Sequence, residues 1–222
     1  MNRNRMGLAS VLVVLALAAV AFGVGSRIPA ELTLPTHWGL DGQPDRLSGK
    51  WVALLSPVGL AGGTSLMFWF LPALEPRLGN LERSAGLYSW LWAALLLMSA
   101  AIELVVVSTA LRLGLRVEHV LAAAIGAMLV LIGNQLAKSR SMFLIGIRTP
   151  WTLASEEVWI RTHRLGGKLM VGGGLVILVA ALLPIPSGLL AAISGGALAV
   201  MVVVPVVYSY LIWRRERAQP SL

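Results

Sequence analysis

The chain has 222 residues, of which 57% are hydrophobic and 13% charged, and its mean hydropathy is +0.80. A soluble domain carries more polar surface than this, so the composition points to a polytopic membrane protein. With no cysteine and a net charge of +8, disulfides and cysteine-ligated metals are excluded, and the basic excess reads as membrane topology rather than direct nucleic-acid binding.

Crossing roughly 30 Å of hydrocarbon takes about 18 or more apolar residues. Six such runs are predicted: Met6–Gly25, Trp51–Ala73, Tyr88–Leu111, Val117–Ala137, Leu169–Leu183 and Leu189–Trp213. With the N-terminus inside, 13 of the 18 Lys and Arg residues fall on cytoplasmic pieces and 5 on outer ones, which favours both termini in the cytoplasm. Arg3, Arg5 and the small residues Ala19-Val20-Ala21 imitate a secretory signal. The apolar run is longer than a usual signal core, so an uncleaved first span is expected.

Between the first two spans lies the outer loop, residues 26–50, whose prolines, glycines and aspartates specify turns. Leu34-Pro35-Thr36-His37-Trp38 reads as a short extended piece, since a residue before proline prefers extended geometry. His37, Asp41 and Asp45 recur every four residues, but Gly39, Gly42 and Pro44 interrupt any helix that would align them as metal ligands. No metal or other cofactor is therefore expected. Trp38 and Trp51 suit the headgroup level as interface anchors.

Gly59 and Gly63 in span two, Gly172-Gly173-Gly174 in span five and Ser194-Gly195-Gly196 in span six are small faces. They suit close helix packing, or, as a second reading, a homo-oligomer face. Pro57 and Pro205 are candidate kinks. Apart from Glu118 at the edge of span four, Glu103 is the one acid inside a predicted span, where a charge costs roughly 2.5–3.5 kcal/mol at the bilayer centre. It lies about 12 Å below the outer end of span three, at a depth comparable to Ser56 and Ser194, its expected hydrogen-bond partners. Two readings stay open for it: a proton or ligand site, or one buried hydrogen-bonded group.

Asn134 closes span four, and a polar island follows over residues 138–168. Pro150 suits a first helical position after Thr149. Alternatively Ser155 caps a helix whose first turn holds Glu156 and Glu157. Glu157 and Arg161 are four apart and pair on one face. Trp151, Val158, Trp159 and Leu165 supply an apolar side, so the segment reads as a short amphipathic helix on the inner membrane surface, bending at Gly166-Gly167 into span five. Lipid contact and topology account for most of its basic residues. Arg148 before Thr149-Pro150-Trp151 is a rigidly presented guanidinium, suited to a carboxylate or phosphate. Its acceptor is a lipid headgroup, a peptide terminus or Glu156/Glu157; a structural clamp and a ligand contact are both open.

Gly133-Asn134, the run Gly146 to Leu153 (GIRTPWTL), Ser155-Glu156-Glu157-Val158-Trp159 and Thr162-His163-Arg164 together resemble the SdpI family. The outer-loop residues Leu34 to Trp38, Gly42, Pro44-Asp45 and Lys50 resemble the small membrane domain of unknown function that often precedes it. The resemblance implies an all-α polytopic membrane protein in the bacterial cytoplasmic membrane. Residues 1–75 would be a two-span domain and residues 88–213 a four-span domain with a cytoplasmic motif loop at 138–168. It further implies protection against a secreted peptide toxin, and relay of toxin presence to a cytoplasmic repressor. The binding candidates are then Arg148, Thr149, Trp151, Glu156, Glu157, Trp159, His163 and Arg164 inside, with His37, Trp38, Asp45 and Lys50 outside. No enzyme is expected, because His37, His119 and His163 are scattered and no nucleophile–base pair stands out. The competing reading is a small proton-coupled transporter or efflux component using Glu103.

Overall fold

The computed structural model describes residues 3–39 and 43–218. In chain order the elements are α1 (Arg3–Gly25), β1 (Thr33–Trp38), β2 (Pro44–Gly49), α2 (Lys50–Leu74), α3 (Leu78–Arg83), α4 (Ala85–Ala110), α5 (Val117–Leu136), α6 (Pro150–Ala154), α7 (Glu156–Leu182) and α8 (Ser187–Ala218). Among the described residues six helices, α1, α2, α4, α5, α7 and α8, are long and apolar enough to cross a membrane. Many large apolar side chains on their outer faces, such as Leu12, Phe70, Val179 and Val203, are exposed. That arrangement suits a bilayer, where helices satisfy their own backbone and hydrocarbon takes the place of water. The architecture is that of an all-α multi-pass membrane protein.

The helices α1 and α2 pack on α4, which passes the bundle on to α5, α7 and α8. The most extensive pairing is α5 with α7, and glycines make it close. A Cβ on Gly126 would come 2.8 Å from the carbonyl oxygen of Gly174, and one on Gly133 2.9 Å from that of Gly167. On each helix these glycines stand seven residues apart, so they form one seam along two antiparallel helices. By contrast Gly59, Gly63, Gly172, Gly195 and Gly196 face open space. Of the expected small faces, only Gly174 and Gly173 meet a neighbour closely; Gly173 sits under Met201.

Two prolines inside α2 shape its polar chemistry. Pro72 has no N–H for the carbonyl of Phe68, four residues earlier, and the Tyr88 hydroxyl donates to that oxygen at 2.6 Å instead. The rings of Phe68, Tyr88 and Trp92 then pack at centroid separations of 5.5–5.8 Å. Pro57 likewise frees the carbonyl of Ala53, which accepts from Ser56 Oγ at 3.0 Å. Ser56 therefore serves its own helix rather than Glu103.

Two local expectations change. The island does not form a separate amphipathic helix on the membrane surface: Glu156 to Leu182 is one 27-residue helix. Ser155 caps it, its side chain accepting from the Val158 N–H at 3.2 Å, and nothing breaks it before Pro184. Gly166-Gly167 do not bend the chain, because their missing side chains admit Ile147 and the α5 backbone. At about 1.5 Å per residue α7 is about 40 Å long, more than a hydrocarbon core needs, so its polar first turns extend past the apolar layer. The outer loop, in turn, is a β-hairpin. The extended piece at Leu34–Trp38 pairs antiparallel with Pro44–Gly49, and Leu34 is buried under it against Ala21, Ala53, Leu54 and Val106.

Candidate functional site

The island folds as an irregular clasp, residues 137–149, laid over the end of the bundle where α2 and α5 finish and α4 and α7 begin. Its centre is His163 on α7. The ring of His163 stacks on that of Trp159, with centroids 3.8 Å apart and planes 16° from parallel. Its Nε2 accepts the backbone N–H of Ile147 at 2.9 Å, so Nδ1 carries the hydrogen and donates to the Trp159 carbonyl at 2.8 Å. Gly146 lies against these rings with φ +129°, and a Cβ there would stand 2.6 Å from Trp159 and 2.7 Å from His163 Nε2. Only glycine fits, for both reasons. The Trp159 indole N–H reaches the Ser139 carbonyl at 3.3 Å.

Thr149 and Thr152 close the clasp with a reciprocal cap on α6. Thr152 N donates to Thr149 Oγ1 at 3.2 Å, and Thr149 N donates to Thr152 Oγ1 at 2.9 Å. Thr152 Oγ1 also donates to the Ile147 carbonyl at 2.8 Å, and Thr149 Oγ1 meets Ser209 Oγ of α8 at 3.2 Å. Trp151 packs beside Tyr210 and Trp213, with centroids 5.1 and 6.3 Å away. Of the inner candidates, then, Thr149, Trp159 and His163 are buried and hold the fold of the motif itself.

The residues that anchor the clasp to the first half of the chain were not legible as site residues. Glu75, 5% exposed, accepts the backbone N–H groups of Leu144 at 2.8 Å and Phe143 at 3.0 Å, besides that of Arg77 at 3.0 Å. Asn80 donates to the Ser141 carbonyl at 2.9 Å, and Ser84 Oγ accepts from Arg140 N at 2.9 Å. The Arg77 guanidinium bonds Ser141 Oγ and lies 4.8 Å from the Phe143 ring centre. The one sequence signal was an acid followed by proline, Glu75-Pro76, directly after an apolar run.

Charged candidates lie on the outside of this layer. Arg148 is exposed and donates to the Phe143 carbonyl at 2.6 Å; it does not pair with Glu156 or Glu157. Glu156 faces Arg140 at 3.7 Å, and Glu157 pairs with Arg161 four residues on, as the spacing predicted. Both pairs are about half exposed and contribute little stability. Arg164 is exposed on α7, and Asn134 is exposed on α5. Ser155 Oγ donates to Glu216 at 2.9 Å, tying α8 to the same layer.

At the opposite end the hairpin brings His37 and Asp45 to 2.6 Å, both well exposed; Asp41 and Gly42 lie outside the described residues. Thr36 and Ser48 meet across the strands at 3.1 Å. Trp38 packs partly buried on the apolar cluster beneath. Lys50 is buried and its ammonium donates to the carbonyls of Gly25 at 2.8 Å and Ile28 at 2.9 Å, so it caps the C-terminal end of α1, where a cation is favoured. Glu103 on α4 is 3% exposed, and both its oxygens lack a hydrogen-bond partner, as does Ser194 Oγ. The expected bonds from Ser56 and Ser194 to Glu103 are therefore not made.

Comparison with known proteins bears on the clasp directly. Residues 138–209 match the SdpI/YfhL protein family, and residues 11–61 match a domain of unknown function (DUF1648). A stretch of 63 residues is 35% identical to Immunity protein SdpI of Bacillus subtilis (strain 168), covering 28% of this chain and 30% of that protein. The chain thus aligns with less than a third of that relative's length. No solved structure matches it. The clasp from residue 138 to Thr149, with its partners Trp159, His163 and Ser209, lies inside the first match, so this part of the chain is similar to the SdpI/YfhL family, and the stretch before it is similar to DUF1648.

Proposed function

We propose that this protein is a bacterial immunity protein of the cytoplasmic membrane that protects its cell from a secreted peptide toxin. The observation that carries the reading is that the motif matching the SdpI/YfhL family is the same stretch that the fold builds into a buried, hydrogen-bonded clasp around His163. Both termini and the clasp lie in the cytoplasm, in accord with the positive-inside distribution. The stretches 1–75 and 88–213 act as one membrane unit, tied by Glu75. Protection is by binding: the toxin is intercepted in the bilayer, and the exposed Arg148, Glu156, Glu157 and Arg164 form the inner face that relays its presence to a cytoplasmic repressor. The hairpin with His37 and Asp45 meets the outer side. A strain deleted for the gene should die in spent medium from its parent or near relatives and survive when the wild-type gene returns; survival of the deletion strain in every such medium would sink the proposal.

A second reading rests on Glu103, whose two carboxylate oxygens are buried and unpartnered about two turns inside the C-terminal end of α4, and ionisable groups within spans mark transport paths. It treats the protein as a small proton-coupled transporter. Proton-dependent flux in vesicles, lost in Glu103→Gln, supports it; no flux above protein-free vesicles excludes it.

A further inference from the structure

A cleft opens sideways between α1 and α2, at the end of the bundle that carries Arg3. It has a volume of about 610 Å³, within the roughly 300–1,000 Å³ of ordinary ligand clefts. Its walls are apolar, with Val11 and Val14 on α1, Gly62 and Leu66 on α2, and Trp92 at the floor. The polar atoms along it are already engaged. Ser10 Oγ donates to the Met6 carbonyl at 2.8 Å and Ser65 Oγ to the Ala61 carbonyl at 2.7 Å; the Trp92 indole N–H points to Ser65 Oγ at 3.4 Å. Nothing inside the cleft recognises a polar ligand.

The lining runs from Asn4 to Leu15 along α1, about 16 Å at 1.5 Å per residue. An apolar groove of that length, open along its side, suits an extended hydrocarbon chain.

The open end supplies charge. Trp69, a wall of the cleft, carries the Arg3 guanidinium 4.6 Å from its ring centre. Arg3 is exposed and makes no ion pair among the described residues. Asn4 lines the same mouth. A guanidinium held flat on an indole keeps its forked donors oriented, and that fork matches a phosphate. Hydrocarbon walls ending at an arginine whose charge is unmatched are complementary to one class of molecule.

We propose that the α1–α2 cleft is a binding site for an anionic phospholipid, with its acyl chain along Val11, Val14 and Gly62 and its phosphate on Arg3. The site lies apart from the clasp and stands whether or not the chain confers immunity.

Gly62 allows a clean test, because a Cβ there meets nothing within 4 Å; Gly62→Leu grows into the cleft without clashing with the helix packing. Gly195→Leu, also into open space but outside the cleft, is the control. The full chain would be reconstituted with equal phosphatidylglycerol and phosphatidylcholine of matched chains, released into the gas phase, and the retained lipid weighed by native mass spectrometry. Wild type and Gly195→Leu should keep one phosphatidylglycerol. Gly62→Leu should keep at least tenfold less at an unchanged melting temperature, and Arg3→Gln should retain the two lipids equally. Equal retention of the two lipids by wild type, or undiminished phosphatidylglycerol on Gly62→Leu, overturns the site. A lipid-free dimer of wild type would assign the cleft to a second copy and overturn it as well.

Discussion

The imidazole of His163 receives the backbone N–H of Ile147 at 2.9 Å, across sixteen residues and between a helix and an irregular loop. Together with the Thr149–Thr152 cap and the Thr152 bond to the Ile147 carbonyl, that bond holds the loop from Gly146 to Thr149. Replacing the ring by one of similar shape without an acceptor, as in His163→Phe, leaves the part-buried Ile147 amide without its partner. The expected cost is about 1–3 kcal/mol, read from unfolding in detergent, with hydrogen exchange at Ile147 accelerated. Unchanged exchange at that amide would contradict the assigned role.

Gly146 makes the same point through sterics. Gly146→Ala would place a methyl group 2.6 Å from Trp159 and 2.7 Å from His163 in a backbone conformation that side chains rarely adopt. It should destabilise by several-fold more than Gly59→Ala, where nothing lies within 4 Å. Equal melting temperatures for the two variants would be inconsistent with the packing described.

Tyr88 and Pro72 form a compensating pair. Tyr88→Phe removes the donor to the Phe68 carbonyl and should cost about 1–3 kcal/mol. In a Pro72→Ala background the restored amide can serve that carbonyl, so the same change should cost less than about 1 kcal/mol. A double-mutant cycle measures the difference, and equal costs in both backgrounds would refute the compensation.

Glu75 should behave as the link between the two halves. Glu75→Ala strips the acceptor from the part-buried N–H groups of Phe143 and Leu144 at a cost of about 0.5–1.5 kcal/mol for each bond lost. Limited proteolysis should then cut near Phe143, while wild type resists. Glu75→Gln keeps one acceptor oxygen and should fall between the two.

The six spans were legible because apolar length is a one-dimensional signal that a bilayer imposes on the chain. The extended geometry of Leu34–Trp38 was legible from its proline. Its partner strand was not, since Pro44–Gly49 has little apolar alternation to announce it. The start of α7 at the Ser155 cap was legible, but its run through Gly166-Gly167 into the span was misread, because a serine cap and two glutamates open a surface helix and a membrane-spanning one alike. Glycine spacing misled in a similar way. Gly59 and Gly63 have the pattern of a packing face and touch nothing, while Gly126 and Gly133, seven apart, meet Gly174 and Gly167. The motif residues around His163 stood out as a group. Glu75 did not, because the clasp amides it accepts from are nearly seventy residues away, and no side-chain pattern marks a backbone donor.

The most direct test of the immunity account is survival of the deletion strain in toxin-containing spent medium, complemented with wild type or with Arg148→Ala at matched membrane levels. Arg148 is exposed and its one described bond is to the Phe143 carbonyl, so the substitution should leave the fold intact. The account predicts rescue by wild type and at least tenfold poorer survival with Arg148→Ala. Full survival of the uncomplemented deletion strain would contradict immunity, and full rescue by Arg148→Ala would contradict a role for the exposed face of the clasp.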